Sequence, residues 1–254
     1  MPQPTGLRLL IYFGYGAINR TLHASSANTN SALSTIISNR PTALQGKRYT
    51  WRHDSVLLHA KRVIQEHIVQ VNSQSSTPPT LPTISQGFVR AGEKSPAPIT
   101  KFERPHELTG ANDWQLLVDF ETDRIVFPPD IHATDERPDI IIWSVNKKHV
   151  ILVELTCPAE EGILPAEIRK IGRYTPLAAA IKGWSVTLMT IEVGARGFVA
   201  RSVPRGFKRL GLKPSSVSKL CKQLSTVSAR CSYAIYLARE NLEWNRTRTL
   251  LSLE

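Results

Sequence analysis

Two neighbouring apolar runs place the strongest constraint on the fold of this chain. Residues 139–144 and 149–156 are rich in β-branched and aromatic side chains, and a short, mainly polar segment, 145–148, separates them. Two such runs with a short connection predict a β-hairpin. Because both runs are apolar on both faces, the hairpin is expected at the centre of a sheet rather than at its edge.

The register of this hairpin brings two acids together. A two-residue loop formed by Asn146 and Lys147, with Asn146 tolerating the positive φ of such turns, places Trp143 opposite Val150. The same register places Asp139 opposite Glu154, with Cβ atoms roughly 5 Å apart. Two carboxylates this close repel each other unless a cation lies between them, and hard oxygen ligands favour Mg2+ or Mn2+. The alternative is a plain strand pair whose terminal acids are solvated.

Periodicity predicts further elements on both sides of the hairpin. In chain order, the expected elements are a helix over 49–71, a strand over 114–121, the hairpin, a helix from near Pro165 to Gly183, a strand over 184–193 and a helix over 215–242. Asp54 is expected to cap the first helix, and Pro176 to kink or break the second. This order of strands and helices predicts an α/β fold.

Composition divides the chain into four parts. They are a poorly ordered segment over 1–45, a helical segment over 46–71, a Pro- and Ser-rich linker over 72–105 and a folded domain over 106–248. The apolar stretch 7–18 is shorter than the roughly 20 residues that cross a bilayer, so a membrane is not an expected partner. A signal peptide is the alternative interpretation of that stretch.

Charge is distributed unevenly along the chain. The net charge is +11, which points to a polyanionic partner. Residues 113–167 carry 12 acids and 4 bases, whereas residues 196–248 carry 12 bases and 2 acids. An acidic core beside a basic tract is typical of a protein that binds metal and nucleic acid. The alternative is a helical C-terminal region whose lysines and arginines are solvated.

The cysteines exclude two classes of small domain. Cys157, Cys221 and Cys231 are odd in number and lack the CxxC spacing of zinc sites. They therefore argue against a disulfide scaffold and against a zinc knuckle. Without cysteine ligands nearby, His53 is interpreted as a packing or hydrogen-bonding residue.

Several short motifs together resemble one family. They are Arg137-Pro138-Asp139, 153–158, Glu160-Glu161 and 170–174, with 46–57, 88–93, 113–114 and 194–198 on either side. The combination resembles the restriction-like endonuclease domain of site-specific non-LTR retrotransposons, which belongs to the PD-(D/E)XK nuclease superfamily. The likeness covers roughly residues 40 to 244. The segment 46–57 is similar to the stretch that joins the reverse transcriptase of such elements to the nuclease.

The resemblance implies a fold and an activity. The expected fold is a restriction-endonuclease-like core with a mixed central sheet flanked by helices and a C-terminal helix. The expected activity is metal-dependent nicking of DNA, with Mg2+ or Mn2+ held by Asp139, Glu154 and the carbonyl of Leu155. The superfamily pattern has a lysine where this chain has Thr156, and the resemblance moves that catalytic role to Lys170 on the following helix.

The resemblance and the basic tract also suggest a nucleic-acid interface and a nuclear location. Tyr174 is expected as a further catalytic residue that contacts the scissile strand. The expected contacts to nucleic acid are Arg137, Arg173, Arg196, Arg201, Arg205, Lys208 and Arg209. DNA is the expected partner, with RNA as an alternative. Two other functions stay open: an inactive nucleic-acid-binding module that keeps the fold, and a protein–protein adaptor.

Overall fold

The computed structural model describes residues 46–74 and 105–241, together with Leu44, Glu243 and Trp244. These residues form helix α1 (Arg48–Ser73), strands β1 (Gln115–Val118), β2 (Ile140–Ser144) and β3 (His149–Thr156), helix α2 (Ile163–Ala180), strand β4 (Ser185–Glu192) and helices α3 (Ser202–Arg209) and α4 (Pro214–Leu237). The fold is therefore mixed α/β.

One four-stranded mixed sheet organises the described residues. The strand order is β1-β2-β3-β4, with antiparallel pairing up to β3 and parallel pairing between β3 and β4. Every residue of β2 and β3 is buried, which confirms their predicted central position. Trp143 pairs with Val150, as the predicted register requires.

The hairpin loop differs from the prediction. Ser144 pairs with His149, so the loop spans the four residues 145–148. Positive φ occurs at Lys148 (φ 49°) and not at Asn146. The predicted two-residue loop is therefore wrong. The left-handed conformation of Lys148 is common at the last residue of a longer hairpin loop. The backbone N–H of Asn146 instead donates to Asp113 Oδ2 at 2.9 Å.

Helices cover both faces of the sheet. On one face, Leu152 and Leu188 pack with Tyr174 and Leu177 of α2. The opposite face carries the larger core, which joins β3 to helices α1, α3 and α4. That core contains Ile64, Ile151, Val153, Phe207 and Leu224. The sheet is thus a middle layer, and its α2 face is the one that Glu154 shares with Leu152 by strand alternation.

Two predicted details of the helices are wrong, and one helix was not predicted. Helix α1 begins at Arg48, after Lys47 in the left-handed region, so Asp54 lies inside the helix and does not cap it. Helix α2 continues through Pro176 to Ala180 without a break. Buried Tyr174 and Leu177 on either side of Pro176 hold this last turn against the sheet, and packing overrides the proline. Helix α3 was not expected.

Other boundaries agree to within a few residues, apart from the C-terminal helix, which ends at Leu237 and not near 242. The first strand is shorter than predicted, at Gln115–Val118. The predicted segment 1–45 and most of the linker 72–105 lie outside the described residues, as does the motif 88–93. No helix in the described part of the chain is both long and apolar enough to cross a membrane.

Candidate functional site

The carboxylates of Asp139 and Glu154 both accept hydrogen bonds from backbone N–H groups at the end of the β2–β3 strand pair. Asp139 directly precedes β2, and the register of β2 with β3 continues to place it opposite Glu154. Glu154 Oε2 accepts a hydrogen bond from the Asp139 backbone N–H at 3.3 Å. Asp139 Oδ2 accepts one from the Leu155 backbone N–H at 2.6 Å. The structure therefore brings the two acids and the Leu155 backbone to the same end of the sheet.

Helix α2 adds the third member of the group. The ammonium of Lys170 donates to Glu154 Oε1, and the side chain of Glu154 is only 6% exposed. Lys170 thus reaches the acid pair from the helix that covers its face of the sheet. Thr156, at the position where the resemblance leads one to expect a lysine, is buried on β3 and carries no charge.

The two acids titrate in opposite directions. Burial and the nearby charge of Asp139 raise the pKa of Glu154 to about 7, although Lys170 opposes the shift. Burial also disfavours the charged form of Asp139. However, hydrogen bonding and charge from His53, with the Leu155 N–H, hold the pKa of Asp139 below its ordinary value. At neutral pH, Asp139 is therefore an anion, whereas Glu154 is close to its midpoint.

His53 is part of this group, which the sequence reasoning missed. Its Nε2 lies 3.4 Å from Asp139 Oδ2 and 3.2 Å from the Leu155 carbonyl oxygen. Its Nδ1 lies 3.2 Å from Asp54 Oδ1. Burial lowers the pKa of His53, but the hydrogen bonds and charges of the two aspartates outweigh it and raise the pKa to about 10. His53 is therefore an imidazolium at neutral pH.

The predicted hydrogen-bonding role of His53 agrees with these contacts, but its partners were not foreseen. His53 is 86 residues from Asp139 along the chain. No spacing rule connects two residues so far apart. The one available signal was that His53 lies in the segment 46–57, which belongs to the same resemblance as the acids.

The oxygen atoms at this site suit a hard divalent cation. The carboxylates of Asp139 and Glu154 and the carbonyl of Leu155 are the ligand types that Mg2+ and Mn2+ prefer. In this conformation cationic side chains already contact these ligand oxygens: Lys170 contacts Glu154 Oε1, and His53 contacts the Leu155 carbonyl oxygen. Within the described residues, no group of three or more His, Cys, Asp or Glu side chains is arranged to hold a metal ion. A metal would therefore displace contacts that the two cationic side chains make now.

Tyr174 lies beside the acids but does not face solvent. Its ring is buried, and its hydroxyl donates to the backbone carbonyl of Arg137 at 3.0 Å. Burial and the charge of Glu154 raise its pKa far above the usual value. Tyr174 thus anchors the chain immediately before Asp139, and its predicted contact with a scissile strand stays a prediction.

The predicted nucleic-acid contacts fall into two groups. Three of them are held in salt bridges: Arg173 with Glu136, Arg196 with Glu160 and Glu161, and Arg209 with Glu107. By contrast, Arg201, Arg205 and Lys208 are exposed at or on helix α3, and Arg137 is half-buried.

The exposed bases of α3 border a cavity of about 320 Å³ between α2, β4 and α3. Arg205 and Lys208 line it together with Ile171 of α2, the residue that follows Lys170. The cavity thus lies at the β4 edge of the sheet, between α2, which covers the face of Glu154, and α3, which covers the opposite face. No protein-family model matches this chain, and no curated protein matches it.

Proposed function

We propose that this protein is a metal-dependent DNA endonuclease with a restriction-endonuclease-like core, derived from a retrotransposon. One observation supports it above the others: Asp139, Glu154 and Lys170 converge from β2, β3 and α2 on one end of the sheet. Two acids and an ammonium in contact, beside exposed bases, are the groups that phosphodiester hydrolysis requires. The finer fold assignment rests on the same arrangement and on the order of the elements.

Each residue has a defined part in this proposal. Asp139, Glu154 and the Leu155 carbonyl hold Mg2+ or Mn2+, which lowers the pKa of bound water and neutralises the phosphate. Lys170, released from Glu154 as the ion binds, stabilises the charge that develops on the phosphate oxygens. His53 fixes the Asp139 carboxylate in its ionised form. Tyr174 holds the chain that precedes Asp139 in position.

The DNA interface is proposed along helix α3. Arg201, Arg205 and Lys208 are exposed there, and their charges are available to backbone phosphates. Arg173, Arg196 and Arg209 would first have to leave their salt bridges. A nuclear location follows from the proposed activity on DNA.

A second function, an inactive nucleic-acid-binding module, is favoured by one observation. Lys170 and His53 already neutralise the oxygens that a metal would use. A site in which protein cations permanently replace the metal keeps its fold and its basic surface without cleaving DNA. The two functions therefore differ in whether a divalent ion can compete for Glu154 and Asp139.

A plasmid-nicking assay separates the two functions. The wild-type protein is expected to nick supercoiled DNA with Mg2+ or Mn2+ and not with EDTA. Asp139→Asn and Glu154→Gln are expected to abolish nicking. The exposed Asp130→Asn serves as the matched control and should keep full activity. No nicking by a folded wild-type protein that binds DNA in a salt-dependent way would establish the inactive module. Equal nicking by all variants would disprove the site.

A further inference from the structure

A second group of buried oxygens lies on the same face of the sheet, beginning two residues after Glu154 on β3. Thr156 of β3 is paired in register with Glu192 of β4, so both side chains point to the α2 face. Glu167 reaches this face from α2, one turn before Lys170. Thr156, Glu167 and Glu192 are 8%, 6% and 0% exposed. Two acids and a hydroxyl are thus buried together, away from the Asp139 carboxylate.

Each of these three residues has a buried oxygen that lacks a partner. Thr156 Oγ1, Glu167 Oε1 and Glu192 Oε1 make no hydrogen bond within the described part of the chain. Leaving a buried polar atom unpaired costs about 1–3 kcal/mol, and more when the group is charged. Three such atoms close together mark a place where a polar or charged ligand would find partners, because buried polar groups in proteins are almost always satisfied.

The charges around the group indicate the sign of that ligand. Burial raises the pKa of Glu167, and the charge of Glu192 raises it further, so the two carboxyls lie within range of each other's charge. Glu192 is raised by burial as well, although hydrogen bonds from Ser202 and Thr190 oppose the shift. Lys170 is engaged by Glu154. Two buried acids with an adjacent hydroxyl oxygen, and with no salt bridge to a cation among the described residues, favour a cation.

A route from solvent to this group exists. Ser202 donates to Glu192 Oε2 at 2.5 Å, and both Ser202 and Thr190 line the cavity between α2, β4 and α3. The two residues that hydrogen-bond Glu192 therefore also line this cavity, although Glu192 itself is fully buried. An ion that entered from the cavity would pass Ile171 and the exposed Arg205.

From this arrangement we infer that Thr156, Glu167 and Glu192 form a second cation site, which takes a hard divalent ion such as Mn2+ or Mg2+. The ion would accept the three unpaired oxygens as ligands and complete its shell with water. The site shares no side chain with the Asp139–Glu154 pair and does not require that pair to cleave DNA. It also gives Thr156 a role: where the superfamily has a lysine, this chain has an oxygen ligand.

Mn2+ binding, measured by electron paramagnetic resonance on the full chain, tests the inference. The double variant D139N/E154Q removes the first acid pair and is expected to retain about one bound Mn2+. Adding Glu167→Gln should weaken that binding about tenfold or more. Adding Thr156→Val should also weaken it, whereas Thr156→Ser, which keeps the hydroxyl, should preserve it. The exposed Glu66→Gln is the control and should change nothing.

Thermal unfolding gives a second readout that does not depend on nicking. Mn2+ is expected to raise the melting temperature of D139N/E154Q, because an ion that binds the folded state stabilises it. The rise should disappear with Glu167→Gln, which lies on a helix and disturbs the sheet less than a change at Glu192. If D139N/E154Q binds no Mn2+, or if Glu167→Gln leaves binding unchanged, the inference is overturned and the two carboxyls share a proton instead. Loss of nicking in D139N/E154Q is a separate result, so the two proposals fail independently.

Discussion

Replacing Lys170 by methionine tests the electrostatics of the acid pair without any assay of cleavage. Lys170 is 22% exposed along its side chain and donates to Glu154, which is 6% exposed. Methionine keeps the apolar length of the lysine and removes its charge. Removing one partner of a buried ion pair leaves the other charge uncompensated, which typically costs about 3–5 kcal/mol. Because Lys170 is partly exposed and Glu154 can take up a proton, the expected loss at pH 8 is below that range, about 2 kcal/mol.

The loss should depend on pH in a defined direction. The pKa of Glu154 is raised from 4.5 to about 7. A raised pKa means that its stabilising contribution is fully present below pH 4.5 and is lost as pH rises through about 7. At pH 5 Glu154 is already protonated, so Lys170→Met removes one ordinary hydrogen bond, about 1 kcal/mol. Above pH 7 the variant can keep Glu154 uncharged only by binding a proton, which costs about 1.4 kcal/mol for each pH unit above 7. It therefore loses about 1 kcal/mol more at pH 8 than at pH 5.

Urea unfolding at pH 5 and pH 8 measures both values. Comparing variant with wild type at each pH cancels the titration of all other groups that the substitution does not affect. Lys182→Met is the matched control, because Lys182 is exposed and its ammonium donates to the backbone carbonyl of Ala179 rather than to a carboxylate. That control should lose less than about 0.5 kcal/mol at either pH. An equal loss for Lys170→Met at the two pH values would refute the buried pair.

Three further outcomes are expected. The rate of nicking at a fixed, low Mg2+ concentration should rise about tenfold from pH 6 to pH 8. The reason is that Glu154, with a pKa of about 7, must lose its proton to bind metal. A rate that does not change with pH contradicts this prediction. Arg205→Gln with Lys208→Gln should reduce the slope of log affinity for DNA against log salt by about two; an unchanged slope excludes α3 from the interface. Tyr174→Phe should lower the unfolding free energy by about 1 kcal/mol through the lost bond to Arg137; urea unfolding that matches wild type removes the positioning role.

The sequence was sufficient for the sheet centre and insufficient for what surrounds it. Two adjacent apolar runs leave few alternatives to a buried hairpin, and side-chain alternation then fixes which residues share a face. Trp143 opposite Val150 is confirmed for this reason. The length of the loop was predicted wrongly because loops of two and four residues give the same register. Helix α3 was not predicted because only two of its residues, Val203 and Phe207, are buried, which is too few for a clear helical pattern.

The acid pair could be anticipated from local spacing, but its cationic partners could not be found in the same way. Lys170 was reached by helical spacing combined with a resemblance, and the structure brings it to Glu154. The position of Glu192 beside Thr156 depends on the parallel register of β3 with β4. These two paired residues are 36 positions apart along the chain. Parallel pairing through a crossover helix leaves no short-range sequence signal.

Helix α1 links these observations, because two consecutive residues of it reach the end of β3. His53 contacts Asp139 and the Leu155 carbonyl, while Arg52 donates to the Cys157 carbonyl at 2.7 Å and to Ser232 of α4 at 2.9 Å. Arg52 is 3% exposed. A buried guanidinium that joins two elements fixes their separation, since its planar donors tolerate little displacement. The position of His53 against Asp139 is therefore set by packing between α1 and α4, so the charge state of the acid pair depends on a helix outside the domain that the sequence delimits.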